Sequence, residues 1–100
     1  MKPYRNAALL ATAKGQPCML QIPGVCNGDE STVVACHSNM QIHGKGMGKR
    51  ADDLFVSFGC ANCHYELDYG TKLSREEKEL AFYRGMSRTQ RYWLAEGIIG

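Results

Sequence analysis

Five cysteines and three histidines hold most of the chemistry available to this chain of 100 residues. Cys60 and Cys63 form a C-x-x-C pair. Two thiolates at that spacing can bind one tetrahedral ion when the backbone turns between them. A second pair lies upstream, Cys18 and Cys26, with seven residues between. That interval is wider than in the usual zinc knuckle, but Pro23-Gly24 inside it is a turn signal that brings its ends together. Cys18, Cys26, Cys60 and Cys63 are therefore expected to hold a structural Zn2+, which does no chemistry because four protein ligands leave no open position. The plainer reading of Cys18 or Cys26 is a buried thiol. Cys36 is the spare.

His64 follows Cys63 directly, and Asp68 comes four residues later. Positions i and i+4 share a helix face, so His64 and Asp68 can bind one divalent cation together. An imidazole and a carboxylate suit Mg2+, Mn2+ or a Ni2+-type ion with several positions left open. This ion would be distinct from the zinc. His37 ends a predicted strand, and His43 falls in a Gly-rich loop expected to be mobile, where it could do no more than touch a phosphate. Each histidine also has a plain structural reading, His64 as a helix cap and His37 as a satisfied strand-end residue. The arrangement favours chemistry: a strand ending in His, a Gly-rich loop, a second strand, C-x-x-C-H and an i+4 acid share one short span.

Local pattern supplies the elements that position these groups. Residues 6–14 are rich in Ala and Leu and predict a helix ended by Gly15 and Pro17. Residues 32–37 (TVVACH) predict a short strand. Residues 38–52, with Gly44, Gly46 and Gly48 spaced by Lys, Met and Lys, predict a flexible basic loop. Residues 54–58 predict a second strand, antiparallel to the first, and residues 63–69 a helix ended by Gly70. Ser74 with Glu77 is a capping box opening another helix. Gly85 is expected to interrupt it, and Ser87 with Gln90 to cap a last helix that Gly97 stops. Tyr92, Trp93 and Leu94 read as packing residues. The class is α+β, one domain over residues 1–100. Residues 1–31 form an N-terminal helix and knuckle, 32–69 the strand–strand–helix unit, and 74–97 the C-terminal helices.

Composition narrows the partners. Hydrophobic residues at 44% and charged residues at 22% exclude wholesale disorder. The longest apolar run is five residues, Ala7 to Ala11, against roughly 20 for a membrane span. The N-terminal stretch lacks a secretory signal, so a reducing cytoplasm is expected, where thiols hold metal rather than pair. Net charge is +2, and its distribution says more. Residues 1–17 carry Lys2, Arg5 and Lys14 with no acid, and residues 38–50 carry Lys45, Lys49 and Arg50 with no acid. Towards the C-terminus Arg84, Arg88 and Arg91 face only Glu96. Such patches fit a polyanionic partner, or plain solvated surface.

The span from His37 to Asp68 resembles the HNH, or His-Me finger, nucleases. ACHSN holds the first His of their pattern, and DDLFVSFGCANCH ends in the last. More closely, the whole chain resembles the small prophage-encoded nucleases of the YbcO type, on CMLQIPGVCNG, CANCHYELD and GMSRTQRYWLAEGII. The fold this implies is a small zinc-bound, treble-clef-like ββα-metal unit with flanking N- and C-terminal helices. The activity it implies is a metal-dependent endonuclease hydrolysing nucleic-acid phosphodiesters, DNA first, in a bacterial host cell. His37 would then be the general base and His64 and Asp68 the holders of a catalytic Mg2+ or similar cation. Asp53 stands where the family has Asn and would orient the His37 ring. Lys45, Lys49, Arg50, Arg84, Arg88 and Arg91 would grip phosphates. The acid that commonly precedes the first His is Cys36 here. The cation is then held by His64 and Asp68 alone, or Cys36 selects a softer metal, or activity is lost.

Three rivals remain at the level of sequence. A non-catalytic zinc module that binds DNA or a protein accounts for the thiols and the basic blocks. A thiol redox protein would use Cys60 and Cys63, though no thioredoxin-like strand–helix context surrounds them. A disulfide-stapled secreted domain would need an export signal.

Overall fold

The computed structural model describes residues 2–100. In chain order the elements are α1 (Ala7–Ala11), β1 (Val34–His37), β2 (Val56–Gly59), α2 (Ala61–Tyr69) and α3 (Arg75–Ala95). Short 3-10 turns at Glu30–Thr32 and Gln41–His43 join them. The result is a small α+β fold, one two-stranded antiparallel sheet against helices.

The sheet pairs Val34 with Gly59 and His37 with Val56. β2 is buried along its whole length, which explains its apolar and small side chains. Phe58 turns both backbone groups away from β1. Its C=O accepts from the N–H groups of Met19 and Leu20 at 2.9 and 3.1 Å, and its N–H donates to Thr89 Oγ1 at 3.1 Å. The knuckle and α3 thus close an edge that would otherwise be open to another strand.

Helix α3 is a single helix, which corrects the expectation of a break at Gly85 and a new cap at Ser87. Ser87 lies within it and donates to the Tyr83 carbonyl at 2.8 Å. Gly85 serves approach: a Cβ there would run into Ser57 Oγ, and would lie 3.0 Å from Leu20 Cδ2 and 3.1 Å from the Met19 carbonyl. Close packing of α3 on β2 outweighs the roughly 1 kcal/mol a mid-helix glycine costs. Gly85→Ala is therefore expected to destabilise the protein, because overpacking of about 1–3 kcal/mol exceeds the helix-propensity gain. The check is a thermal melt, and a raised Tm would contradict the packing argument.

The capping box at the start of α3 is present, with Glu77 N–H on Ser74 Oγ at 3.1 Å and Ser74 N–H on Glu77 Oε1 at 2.8 Å. At its other end Trp93 is fully buried and donates from Nε1 to Thr12 Oγ1 at 2.8 Å, tying α3 to the segment after α1. Tyr92 packs edge-on against Phe58, with centroids 5.9 Å apart. Leu94, expected to pack, is exposed; it falls on the outer face of the helix. The first helix is shorter than its composition predicts, since turns carry the chain from Thr12 to Gly15.

Candidate active site and metal centre

The four cysteines named from spacing converge. The Sγ atoms of Cys18, Cys26, Cys60 and Cys63 all lie within 4.8 Å of one another. The Pro23-Gly24 turn does the folding back: the Cys26 N–H reaches the Ile22 carbonyl at 2.9 Å, with Gly24 at φ +73°. Cys60 stands at the N-cap of α2 and Cys63 lies in its first turn, both fully buried, while Cys26 sits at the exposed rim. Hydrogen bonding from Cys63 pulls the Cys18 thiol down to about 4 and pushes Cys63 up. The cluster can hold a metal such as zinc. A redox pair needs an accessible attacking thiolate, and burial of Cys60 and Cys63 speaks against that rival.

Cys36 lies outside this cluster. It points into the core beside Gly59, and burial holds its thiol protonated. Alternation along β1 turns it to the face opposite His37. That placement turns its thiol into the core, where burial and the charge of Asp68 both favour the protonated form.

His37 Nε2 lies 2.8 Å from Asp53 Oδ1. The ladder continues past β1, with Ser38 N–H on the Phe55 carbonyl at 3.0 Å, and the chain then turns at Asp52–Phe55, whose ends bond at 3.0 Å. This turn, rather than β2 itself, aims Asp53 at the imidazole. Asp53 is 1% exposed. Burial works against its charge, but the bonds from His37 and the Asn6 N–H, with the Arg50 guanidinium, hold the carboxyl below its usual range. An ionised carboxylate only accepts, so His37 donates from Nε2, and in the neutral tautomer that makes this bond the lone pair lies on Nδ1.

Two of these partners escaped the sequence reading. Asn6 donates its N–H to Asp53 Oδ2 at 2.7 Å. Arg5 Nη1 lies 3.7 Å from Asp53 Oδ1 while it donates to the Ala51 carbonyl at 2.9 Å. Neither residue has a local signal, because each reaches the site across more than forty positions of chain.

The second pair forms on α2 as i,i+4 spacing predicts. His64 Nε2 is 3.2 Å from Asp68 Oδ2. The hydrogen bond between them raises His64 and lowers Asp68, each against the effect of burial. Asn39 donates from Nδ2 to Asp68 Oδ1 at 2.9 Å. This residue, two past His37, ties the end of β1 to α2. It was also missed, although ACHSN displayed it.

His43 is the clear correction. It is buried in the core rather than presented to a phosphate by the loop. Its ring stacks on Phe55 at 4.5 Å, meets Tyr83 edge-on, and its Nδ1 bonds Ser38 Oγ at 2.6 Å. Burial lowers its basicity. It anchors the basic loop as a core residue would.

The cations separate into groups. Arg50 Nε lies 3.5 Å from Asp53 Oδ1, and Lys45 is near enough to Asp68 to favour its carboxylate. Lys49 is exposed on the same loop. Arg88 donates to the Met19 carbonyl at 2.7 Å and, with Arg84, lines a hollow against Gln21, Ile22 and Pro23. Arg91 is exposed further along α3. Among the described residues, no helix is long and apolar enough to cross a membrane.

The family model described as "Putative nuclease YbcO" matches residues 7–98. The chain is 41% identical over 96 residues to "Putative nuclease YbcO" of Escherichia coli (strain K12), covering 93% of this chain and 97% of that protein. Identity and coverage are the same for "Putative nuclease ybcO" of Enterobacteria phage 82. A solved structure described as a putative bacteriophage protein from Escherichia coli str. K-12 substr. MG1655 superposes with a TM-score of 0.70. It is 36% identical and covers 88% of this chain and 98% of its own. A family match spanning nearly all of the chain, with relatives matched over almost their full length, makes this protein a member of the YbcO family.

Proposed function

We propose that this chain is a metal-dependent endonuclease of the HNH, or ββα-metal, type that hydrolyses nucleic-acid phosphodiesters, DNA in particular. Residues 1–100 act as one unit. The observation that carries the reading is the 2.8 Å contact between His37 Nε2 and the buried Asp53 carboxylate. It leaves His37 Nδ1 as a free, oriented base at the edge of the sheet. His37 takes a proton from water, which attacks phosphorus in line and breaks the bond to the leaving 3′-oxygen. Asp53 keeps the tautomer and steadies the imidazolium that forms. The relatives' printed names support the same reaction class.

His64 and Asp68 would hold the catalytic divalent cation. Their donor atoms stand 3.2 Å apart on one face of α2, and an imidazole with a carboxylate is a donor set that suits such an ion. A cation held by these two residues would supply electrostatic stabilisation of developing phosphoryl charge. Lys45, Lys49 and Arg50 position neighbouring phosphates, and Arg84, Arg88 and Arg91 extend that grip; such contacts carry no sequence information. The tetrathiolate would hold Zn2+ in a structural role. Sulfur atoms at about 2.3 Å from a tetrahedral ion lie roughly 3.8 Å apart, and the observed cluster has room for that arrangement.

The test is a nicking assay on supercoiled plasmid. Brief chelation that leaves the zinc content unchanged is expected to abolish nicking, and added Mg2+ or Mn2+ to restore it. Activity indifferent to added divalent ions would reject the metal role. Binding without nicking under every ion would favour a non-catalytic zinc module, a reading that leaves the His37–Asp53 pair without a task.

A further inference from the structure

The loop between the strands is more than a carrier of charge. Residues 43–52 form a ribbon pinched twice. Asp52 N–H bonds the His43 carbonyl at 2.9 Å, and Gly46 and Lys49 exchange two bonds at 3.0 and 3.1 Å. At its tip stand Met47 and Gly48, the glycine at φ +65°. Met47 is completely exposed, with a relative accessibility of 104%. Among the described residues, no heavy atom other than those of its immediate chain neighbours comes within 4 Å of a Cβ position on Gly46 or Gly48. The tip is therefore one side chain wide, and that side chain is apolar.

Its flanks are cationic. Lys45 and Lys49 stand on either side, and Arg50 follows. The ribbon also straddles the site. Its first leg brings Lys45 near Asp68, and its second brings Arg50 Nε to 3.5 Å from Asp53 Oδ1. A polyanion seated at the site would lie alongside the loop that carries this tip. Among polyanions, a stacked duplex offers an apolar slot between two phosphate-lined walls, and Met is one of the side chains that wedge open such steps.

We propose that Met47 is a wedge: with Lys45 and Lys49 on backbone phosphates of a double-stranded nucleic acid, Met47 enters between two stacked base pairs and opens the step. The inference rests on the nuclease reading above and deepens it by naming the substrate as a duplex. Steps that unstack easily, such as pyrimidine–purine steps or mismatches, become the favoured sites, and stiff A-tracts the poor ones.

The test needs no cleavage. Full-length, metal-replete protein without added Mg2+ is mixed with duplexes carrying 2-aminopurine, whose fluorescence rises on unstacking. The native protein is expected to raise it, and Met47→Ala to lose most of that rise with an unchanged Tm. Lys49→Ala is expected to keep the rise at saturation and to lower the salt slope of binding by about 1. A Met47→Ala protein that unstacks like the parent would overturn the wedge. So would equal, Met47-dependent binding of single strands, or Met47-dependent binding of phosphatidylserine–phosphatidylcholine vesicles with duplex binding untouched. Nicking without unstacking would sink the wedge and spare the nuclease. Unstacking without nicking under any divalent ion would do the reverse.

Discussion

Replacing His37 by alanine is expected to lower phosphodiester cleavage by about 10²–10⁴-fold, the usual worth of a positioned general base, while the protein still folds. The fold is expected to survive because the His37 side chain lies at the sheet's edge and is 20% exposed. Asp53 also keeps its other partners when the imidazole leaves. The Asn6 N–H remains at 2.7 Å, and Arg5 and Arg50 stand at 3.7 and 3.5 Å. No buried carboxylate is left bare, so the large destabilisation that follows from stranding a charge is avoided. The four-thiol cluster is built from other elements and should keep its metal. The measurement pairs plasmid nicking with a thermal melt and metal content. A His37→Ala protein that cuts as fast as its parent removes His37 as the base, whatever else the site does.

Replacing Cys63 by serine is expected to have the larger effect on folding. Cys63 is fully buried in the first turn of α2, and its sulfur belongs to the cluster within 4.8 Å. A tetrathiolate reduced to three thiolates and a hydroxyl binds zinc far less well, because a hydroxyl is a weak ligand for this ion. Structural zinc in small modules contributes on the order of 10–16 kcal/mol, comparable with the whole stability of an ordinary domain. The core cannot make up the loss. Cys18, Cys60 and Cys63 are themselves core residues, packed with Leu20, Ile22 and Phe58, so cluster and core fail together. Expected results are loss of stoichiometric metal by native mass spectrometry and loss of a cooperative melting transition. An unchanged Tm with unchanged metal content would show that the cluster does not staple the fold.

Both candidate metal-binding groups were displayed by local sequence. The His64–Asp68 pair was legible because helix geometry alone brings i and i+4 together, and α2 obeys it. The cysteine cluster was legible because a C-x-x-C pair and a turn between two further cysteines each act over a few residues. Asp53 was found only through a family resemblance. The three-way hold upon it from Arg5, Asn6 and Arg50 was not found at all. His43 misled because a histidine among glycines and lysines reads as loop; its place under Phe55 and Tyr83 depends on how the loop folds back onto α3. Gly85 misled because propensity treats glycine as a breaker, whereas β2 presses closely enough on α3 to require the missing side chain.

What the chain's order determined unaided was everything governed by short-range geometry: the thiol set, the helix-borne imidazole–carboxylate pair, the capping box and the two-strand pairing. Tertiary structure alone decided which groups gather at the candidate site and which pack in the core. It turned His37 towards Asp53 and His43 into the core. It buried Cys36 in the core and left Met47 bare at the end of a ribbon. The physical reason is that local spacing sets backbone turns, while burial, hydrogen-bond partners and charge environment depend on segments far apart in the chain that meet only when it folds.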